Sequence, residues 1–184
     1  MLMQREHATL LVVDVQEKLA PAVHDADGLM ARLQWLVGAV RDTGVPVVFS
    51  EQYPKGLGHT VPALRDAAPT ARTVEKQHFS CVAGDCLPAS LMQRDQVIVC
   101  GMETHVCVLQ TVIDLLDEDK EVYVVSDAVS SRREGDHLAG LARMRDAGAQ
   151  LVTREMVLFE LLHQAGTDEF KAASKRYLVG EQPA

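Results

Sequence analysis

No stretch of this 184-residue chain approaches the roughly 18 consecutive apolar residues that a membrane-spanning helix requires. The opening Met-Leu-Met-Gln-Arg-Glu-His-Ala-Thr lacks the basic stretch, apolar region and small-residue cleavage site of a secretory signal, so a cytoplasmic setting is expected. A basic stripe is also missing. The net charge is −8 with acidic and basic residues interspersed, which leaves a phosphate backbone nothing to follow and excludes nucleic acid as an expected partner. The four cysteines (Cys81, Cys86, Cys100, Cys107) show neither zinc-site spacing nor a Cys-x-x-Cys pair. They read as free thiols, and Cys81, Cys86 and Cys100 as packing residues. The loop after the first strand, Asp-Val-Gln-Glu-Lys-Leu-Ala-Pro, has no glycine fingerprint for a pyrophosphate, and no Walker A sequence occurs. No repeat, low-complexity tract or linker divides the chain, which is expected to be one domain over 1–184.

Apolar runs alternate with helical patterns throughout, the signature of a parallel sheet covered by helices on both faces. Ala-Thr-Leu-Leu-Val-Val-Asp-Val (8–15) is continuously apolar up to Asp14, as a strand buried on both faces should be. Further strands are expected at 45–49, 72–75, 96–100, 121–125 and 150–152. Leu29, Leu33, Leu36, Val37 and Val40 give a helix over 28–42 that Gly44 ends. Helices are also expected at 84–94, 104–117, 134–146, 155–163 and 167–176. The expected class is therefore α/β: a doubly wound, six-stranded, mostly parallel sheet of order 3-2-1-4-5-6. In that order strands one and four are neighbours where the winding reverses, and ligands bind outside the carboxyl ends of the strands there.

Three residues near that edge can do chemistry. Cys107 follows the fourth strand where a helix begins, a place that favours a nucleophilic thiolate; the other reading is a buried small hydrophobe. Asp14 ends the first strand, where a buried charge needs a partner; it could accept a proton, or merely cap a turn. Lys76 closes the third strand and could favour the thiolate and pair with Asp14, or be a solvated surface lysine.

Leu-Val-Val-Asp-Val-Gln (11–16), Val-Glu-Lys-Gln-His-Phe-Ser (74–80), Gly-Met-Glu-Thr-His-Val-Cys-Val (101–108) and Val-Ser-Asp-Ala-Val-Ser-Ser-Arg (125–132) together resemble the isochorismatase-like cysteine hydrolases. The resemblance covers nearly the whole chain. It implies a catalytic triad of Asp14, Lys76 and Cys107, with a thioester formed on the cysteine as an amine leaves. It also implies a cis peptide between Met102 and Glu103, and an oxyanion hole of the Glu103 and Cys107 backbone N–H groups.

Departures from the family's branches narrow the substrate. Where nicotinamidases carry metal-binding histidines, this chain has Phe-Ser-Glu-Gln-Tyr-Pro-Lys-Gly-Leu-Gly-His (49–59), with Glu51 and Tyr53 at ligand positions. His59 alone cannot assemble the three protein ligands of a zinc site, so neither metal nor other cofactor is expected. Isochorismatases proper lack the nucleophilic cysteine, so Cys107 favours acyl transfer. The chain looks closest to isochorismatase-domain proteins without an assigned substrate. The expected function is hydrolysis of a small amide-like substrate, with Gln16, Gln52, Tyr53 and Phe79 as candidate pocket-lining residues. The alternatives are an isochorismatase-type vinyl-ether hydrolase and a non-catalytic small-molecule-binding member of the fold. The apolar run Met156, Val157, Leu158, Phe159, Leu161 and Leu162 is compatible with a subunit interface, and a homo-oligomer is expected.

Overall fold

The computed structural model describes residues 1–179; the last five residues of the expected 1–184 domain lie outside the described residues. Its centre is β1 (Ala8–Val13), buried at every position. Because side chains alternate across a strand, each β1 neighbour feeds two separate cores. Leu10 and Val12 join Phe49, Ile98, Cys100 and Tyr123 under one helical layer, while Leu11 and Val13 join Val48, Val97, Val99 and Val124 under the other. Burying each such aliphatic side chain contributes about 1.5–3 kcal/mol, which explains why the strand reads as an unbroken apolar run.

The remaining strands are β2 (Val47–Gln52), β3 (Arg72–Lys76), β4 (Gln96–Met102), β5 (Glu121–Ser130) and β6 (Gln150–Val152). All pairings are parallel and the order is β3-β2-β1-β4-β5-β6, as the sequence pattern requires. The first core lies under α1 (Ala26–Asp42) and α7 (Arg154–Leu162), the second under α5 (Leu109–Asp117) and α6 (Glu134–Asp146). Gly44, at φ 82°, stands two residues past the end of α1 in the left-handed conformation expected of it.

The observed elements depart from the expected ones in physically instructive ways. β2 and β3 run on to Gln52 and Lys76, which pair with each other in register. Short helices α2 (Pro54–Leu57) and α3 (Pro62–Ala67) fill a stretch read only as loop, each opened by a proline at its first turn. The helix expected over 84–94 shrinks to α4 (Ala89–Met92), because Asp85 takes a positive φ of 46° and Pro88 an extended ψ of 143°. β5 extends to Ser130 past a register shift opposite Val99 and Gly101. There the Arg32 guanidinium donates to the Asp127 carbonyl at 2.6 Å. The C-terminal region forms α8 (Asp168–Ala173) continued by a π-helical turn, Ser174–Leu178.

Candidate active site

Asp14 comes immediately after β1, Cys107 five residues after β4, and Lys76 ends β3. β2 separates β3 from β1, so the lysine must cross roughly 10 Å, two strand spacings, to reach the aspartate. Its long side chain does so: Lys76 Nζ donates to Asp14 Oδ2 at 2.6 Å and to Gln52 Oε1 at 2.8 Å. Both partners of the ion pair have fully buried side chains. Ser50, on the intervening strand, donates its hydroxyl to the other carboxylate oxygen of Asp14 at 2.7 Å. The carboxylate is thus held at both oxygens by β2 and β3.

The chain reverses between β4 and the next helix. Gly101 sits at φ 131° with its α-carbon packed on β1, where any Cβ would run into the Val13 backbone. Glu103 takes the left-handed conformation (φ 58°, ψ 59°) and a π-helical turn, Thr104–Val108, leads into α5. Gly140 of α6 allows that helix to lie against His105, where a Cβ would come within 3.1 Å of the His105 Cα. Every peptide bond among the described residues is trans. The cis bond expected between Met102 and Glu103 is therefore corrected. The turn is made by the positive φ values of Gly101 and Glu103, and the trans peptide avoids the roughly 3–4 kcal/mol of a non-proline cis bond.

The turn brings the Cys107 thiol, 5% exposed, beside the Asp14 carboxylate. Burial, and then the Asp14 charge, push its pKa up to about 12, with Lys76 opposing them. The helix-terminus argument led to the opposite expectation, a thiol inclined to ionise. Desolvation and the adjacent carboxylate outweigh the helix dipole here, and the resting group is the neutral thiol. For Lys76, burial works to lower the pKa, but Asp14 and then the Cys107 and Cys81 sulfurs outweigh it and the net shift is upward. The lysine is a fixed cation.

The candidate pocket residues fare differently. Gln16 is fully buried, its amide donating to the carbonyls of Gln52 and Gly58 and accepting from the Gln52 N–H, so it braces two loops. Gln52 is the second acceptor for Lys76. Tyr53, 48% exposed, flanks the site at the end of β2 in a left-handed conformation. Phe79, 53% exposed, lines a cavity of about 410 Å³ with His78, Gln110 and Arg143, and none of Asp14, Lys76 and Cys107 lines it. The chain turns over α5 just beyond Lys76, which carries Phe79 away. Glu51 accepts from the Thr60 amide and hydroxyl and contacts His59 Nδ1 at 3.0 Å. Among the described residues no three His, Cys, Asp or Glu side chains are grouped to hold a metal ion.

Sequence reasoning missed three participants. Ser50 is a hydroxyl that directly follows the apolar run of Val47, Val48 and Phe49 in β2, a signal that could have been read. Arg132 forms a paired contact with the Glu103 carboxylate, both nitrogens at 3.2 Å; it stands in a recognised motif without an assigned task. Cys81, taken as packing, lies beside the ion pair with its thiol against Ser50 and Cys86, and nothing local to it marks that position.

The chain and its fold have counterparts among known proteins. The isochorismatase domain model matches residues 8–156. Isochorismatase domain-containing protein 2A of Mus musculus is 39% identical over 173 residues, covering 92% of this chain and 82% of its own. The structure described as MAR1 ribonuclease from Caenorhabditis elegans superposes with a TM-score of 0.91 at 35% identity, covering 100% of this chain and 95% of its own. The YcaC protein of Pseudomonas aeruginosa, solved with hexane-2,5-diol and covalent acrylamide, gives a TM-score of 0.85 at 26% identity over 96% of this chain and 92% of its own. With the domain model matched over residues 8–156 and the mouse relative 39% identical over 92% of the chain, the chain belongs to the isochorismatase family of hydrolase-fold proteins.

Proposed function

We propose that this protein hydrolyses a small amide-like C–N bond through a thioester on Cys107. The observation that carries the reading is a buried Cys107 thiol beside a carboxylate that Lys76 and Ser50 hold in place. As Sγ attacks the carbonyl carbon, Asp14 takes the thiol proton, so no free thiolate need accumulate. The oxyanion is received by the backbone N–H groups of Glu103 and Cys107, donors of a kind that can lower a barrier by roughly 3 kcal/mol. Asp14 then returns its proton to the departing nitrogen, leaving the thioester. Water, deprotonated by the same carboxylate, attacks the thioester and releases the acid and the thiol. Lys76 stays protonated and, through its ion pair, holds the Asp14 carboxylate in position between steps. No step calls for a metal or other cofactor.

The test is a panel of small amides, with product analysis and intact-mass measurement of acyl-enzyme. Cys107→Ala and Asp14→Asn are expected to abolish turnover and adduct while the fold persists. Turnover retained by purified Cys107→Ala would replace this reading with vinyl-ether hydrolysis by proton donation. Neither product nor adduct across the panel would favour a non-catalytic binding protein.

The description of the C. elegans neighbour favours one second reading, ribonuclease activity. Against it stand the net charge of −8 and the engagement of Lys76 by Asp14 and Gln52, which leaves that cation unavailable to a phosphate. Single-stranded RNA is expected to survive incubation with the protein; cleavage lost in Cys107→Ala would reverse this. We also propose a homo-oligomer, supported by Met156 and Phe159 of α7, which are 44% and 46% exposed. Light scattering at the monomer mass would overturn it. The unpaired state of all four cysteines supports a reducing, cytoplasmic setting, and among the described residues no helix is long and apolar enough to cross a membrane.

A further inference from the structure

Cys81 has no part in the chemistry above, yet it is fully buried beside the pair that carries it. Its amide donates to Thr111 Oγ1 of α5 at 3.0 Å. Its carbonyl accepts both the Cys86 amide, at 3.4 Å, and the Cys86 thiol, at 3.3 Å. The backbone therefore doubles back over five residues and sets the two cysteines face to face, with their thiols in hydrogen-bonding reach of each other. Cys81 also touches the Ser50 hydroxyl, the group that donates to Asp14. Cys86 is partly exposed, and a cavity of about 240 Å³ reaches Cys81 from the side of Asp85, Met92 and Glu118. A small solute can thus approach this pair from the Cys86 side without passing Cys107.

We propose that Cys81 and Cys86 are a peroxide-sensitive dithiol whose reversible closure to a disulfide slows the chemistry at Cys107 by withdrawing the Cys81 sulfur from Ser50. The effect on Cys107 rests on the reading of that residue as the nucleophile; the disulfide itself does not. Hydrogen peroxide is the oxidant. The Cys86 thiolate attacks one peroxide oxygen, the O–O bond breaks, and Cys86 becomes a sulfenic acid while hydroxide leaves and takes the Cys81 proton as water. The Cys81 thiolate then displaces hydroxide from the Cys86 sulfur, forming the S–S bond. Overall two thiols and one peroxide give one disulfide and two waters. The Cys81 thiol lowers the Cys86 pKa by hydrogen bonding to it, which supports Cys86 as the first sulfur to react.

Cleavage after Lys76 and Arg94 yields a single peptide, 77–94, that carries both cysteines and neither Cys100 nor Cys107. After peroxide treatment and quenching with catalase, that peptide is expected to lose two hydrogens, in the natural protein and in Cys107→Ser alike, and to regain them with dithiothreitol. In the natural protein, acrylamide labelling of Cys107 is expected to fall roughly tenfold on closure, the effect of disturbing a hydrogen bond to a charged group, and to recover on reduction. Cys86→Ser should label Cys107 normally and lose this reversible response. Peptide 77–94 keeping both thiols while Cys107 oxidises would overturn the disulfide. Closure with unchanged Cys107 labelling would overturn its control of the site. Failure of acrylamide to label Cys107 in the reduced protein would instead count against the hydrolase reading, while the mass of 77–94 still decides the disulfide.

Discussion

Lys76 Nζ lies 2.6 Å from Asp14 Oδ2 with no solvent reaching either side chain, although the two residues end strands that are not neighbours in the sheet. Each charge is tolerable only because of the other. Lys76→Met alone is expected to destabilise the protein by about 3–5 kcal/mol, the cost of an unpaired buried charge, and Asp14→Asn to act in the same direction. The double variant should be more stable than Lys76→Met. Thermal unfolding of the four proteins checks this, and additive losses would show that the charges are independently solvated.

Ser50 orients Asp14 from the strand between. Ser50→Ala is expected to leave the circular dichroism unchanged. It should lower kcat/KM by roughly ten- to a hundredfold, the worth of a hydrogen bond to a charged group. Ser50→Thr, which keeps the hydroxyl, should restore part of the loss. A purely structural Ser50 would move the melting temperature and leave the kinetics alone.

The pH behaviour follows from the Cys107 pKa of about 12, raised by burial and then by Asp14. An alkylating agent that does not engage Asp14 needs the thiolate, so Cys107 labelling by iodoacetamide should climb about tenfold per unit between roughly pH 7 and 10. Cys86, whose pKa is lowered first by the Cys81 thiol and then, against burial, by Lys76, should label before it. A plateau for Cys107 at neutral pH would mean a preformed thiolate. The same shift bears on stability. Below the unfolded thiol value of about 8.5 the group is neutral in both states, and above it only the unfolded chain ionises, so stability falls as pH rises. Cys107→Ala should soften that alkaline decline.

Gly101 fixes the reversal that aims Cys107. Gly101→Ala combines φ 131° with a clash against Val13, and a loss exceeding about 3 kcal/mol is expected, read as a drop in melting temperature together with loss of Cys107 labelling by acrylamide.

Much of this was legible in the sequence. Leu10 to Val13 had to be a doubly buried strand, since no amphipathic alternative accommodates four adjacent aliphatic side chains. Asp14 stood out because a carboxylate ending such a strand demands a partner. Gly44 marked a helix end, and the alternation of runs fixed a parallel, doubly wound sheet. These are short-range properties, and local periodicity carries them. Relations between strands are another matter. Register decides that Ser50 and Gln52, on β2, meet Asp14 and Lys76, and the turn at Asp85 and Pro88 decides that Cys86 folds back onto the Cys81 carbonyl instead of riding a helix. The electrostatic character of Cys107 was likewise a tertiary outcome. The helix terminus acts within a few residues, whereas burial comes from the packing of the whole site and the Asp14 charge from the neighbouring strand, and together they outweigh it.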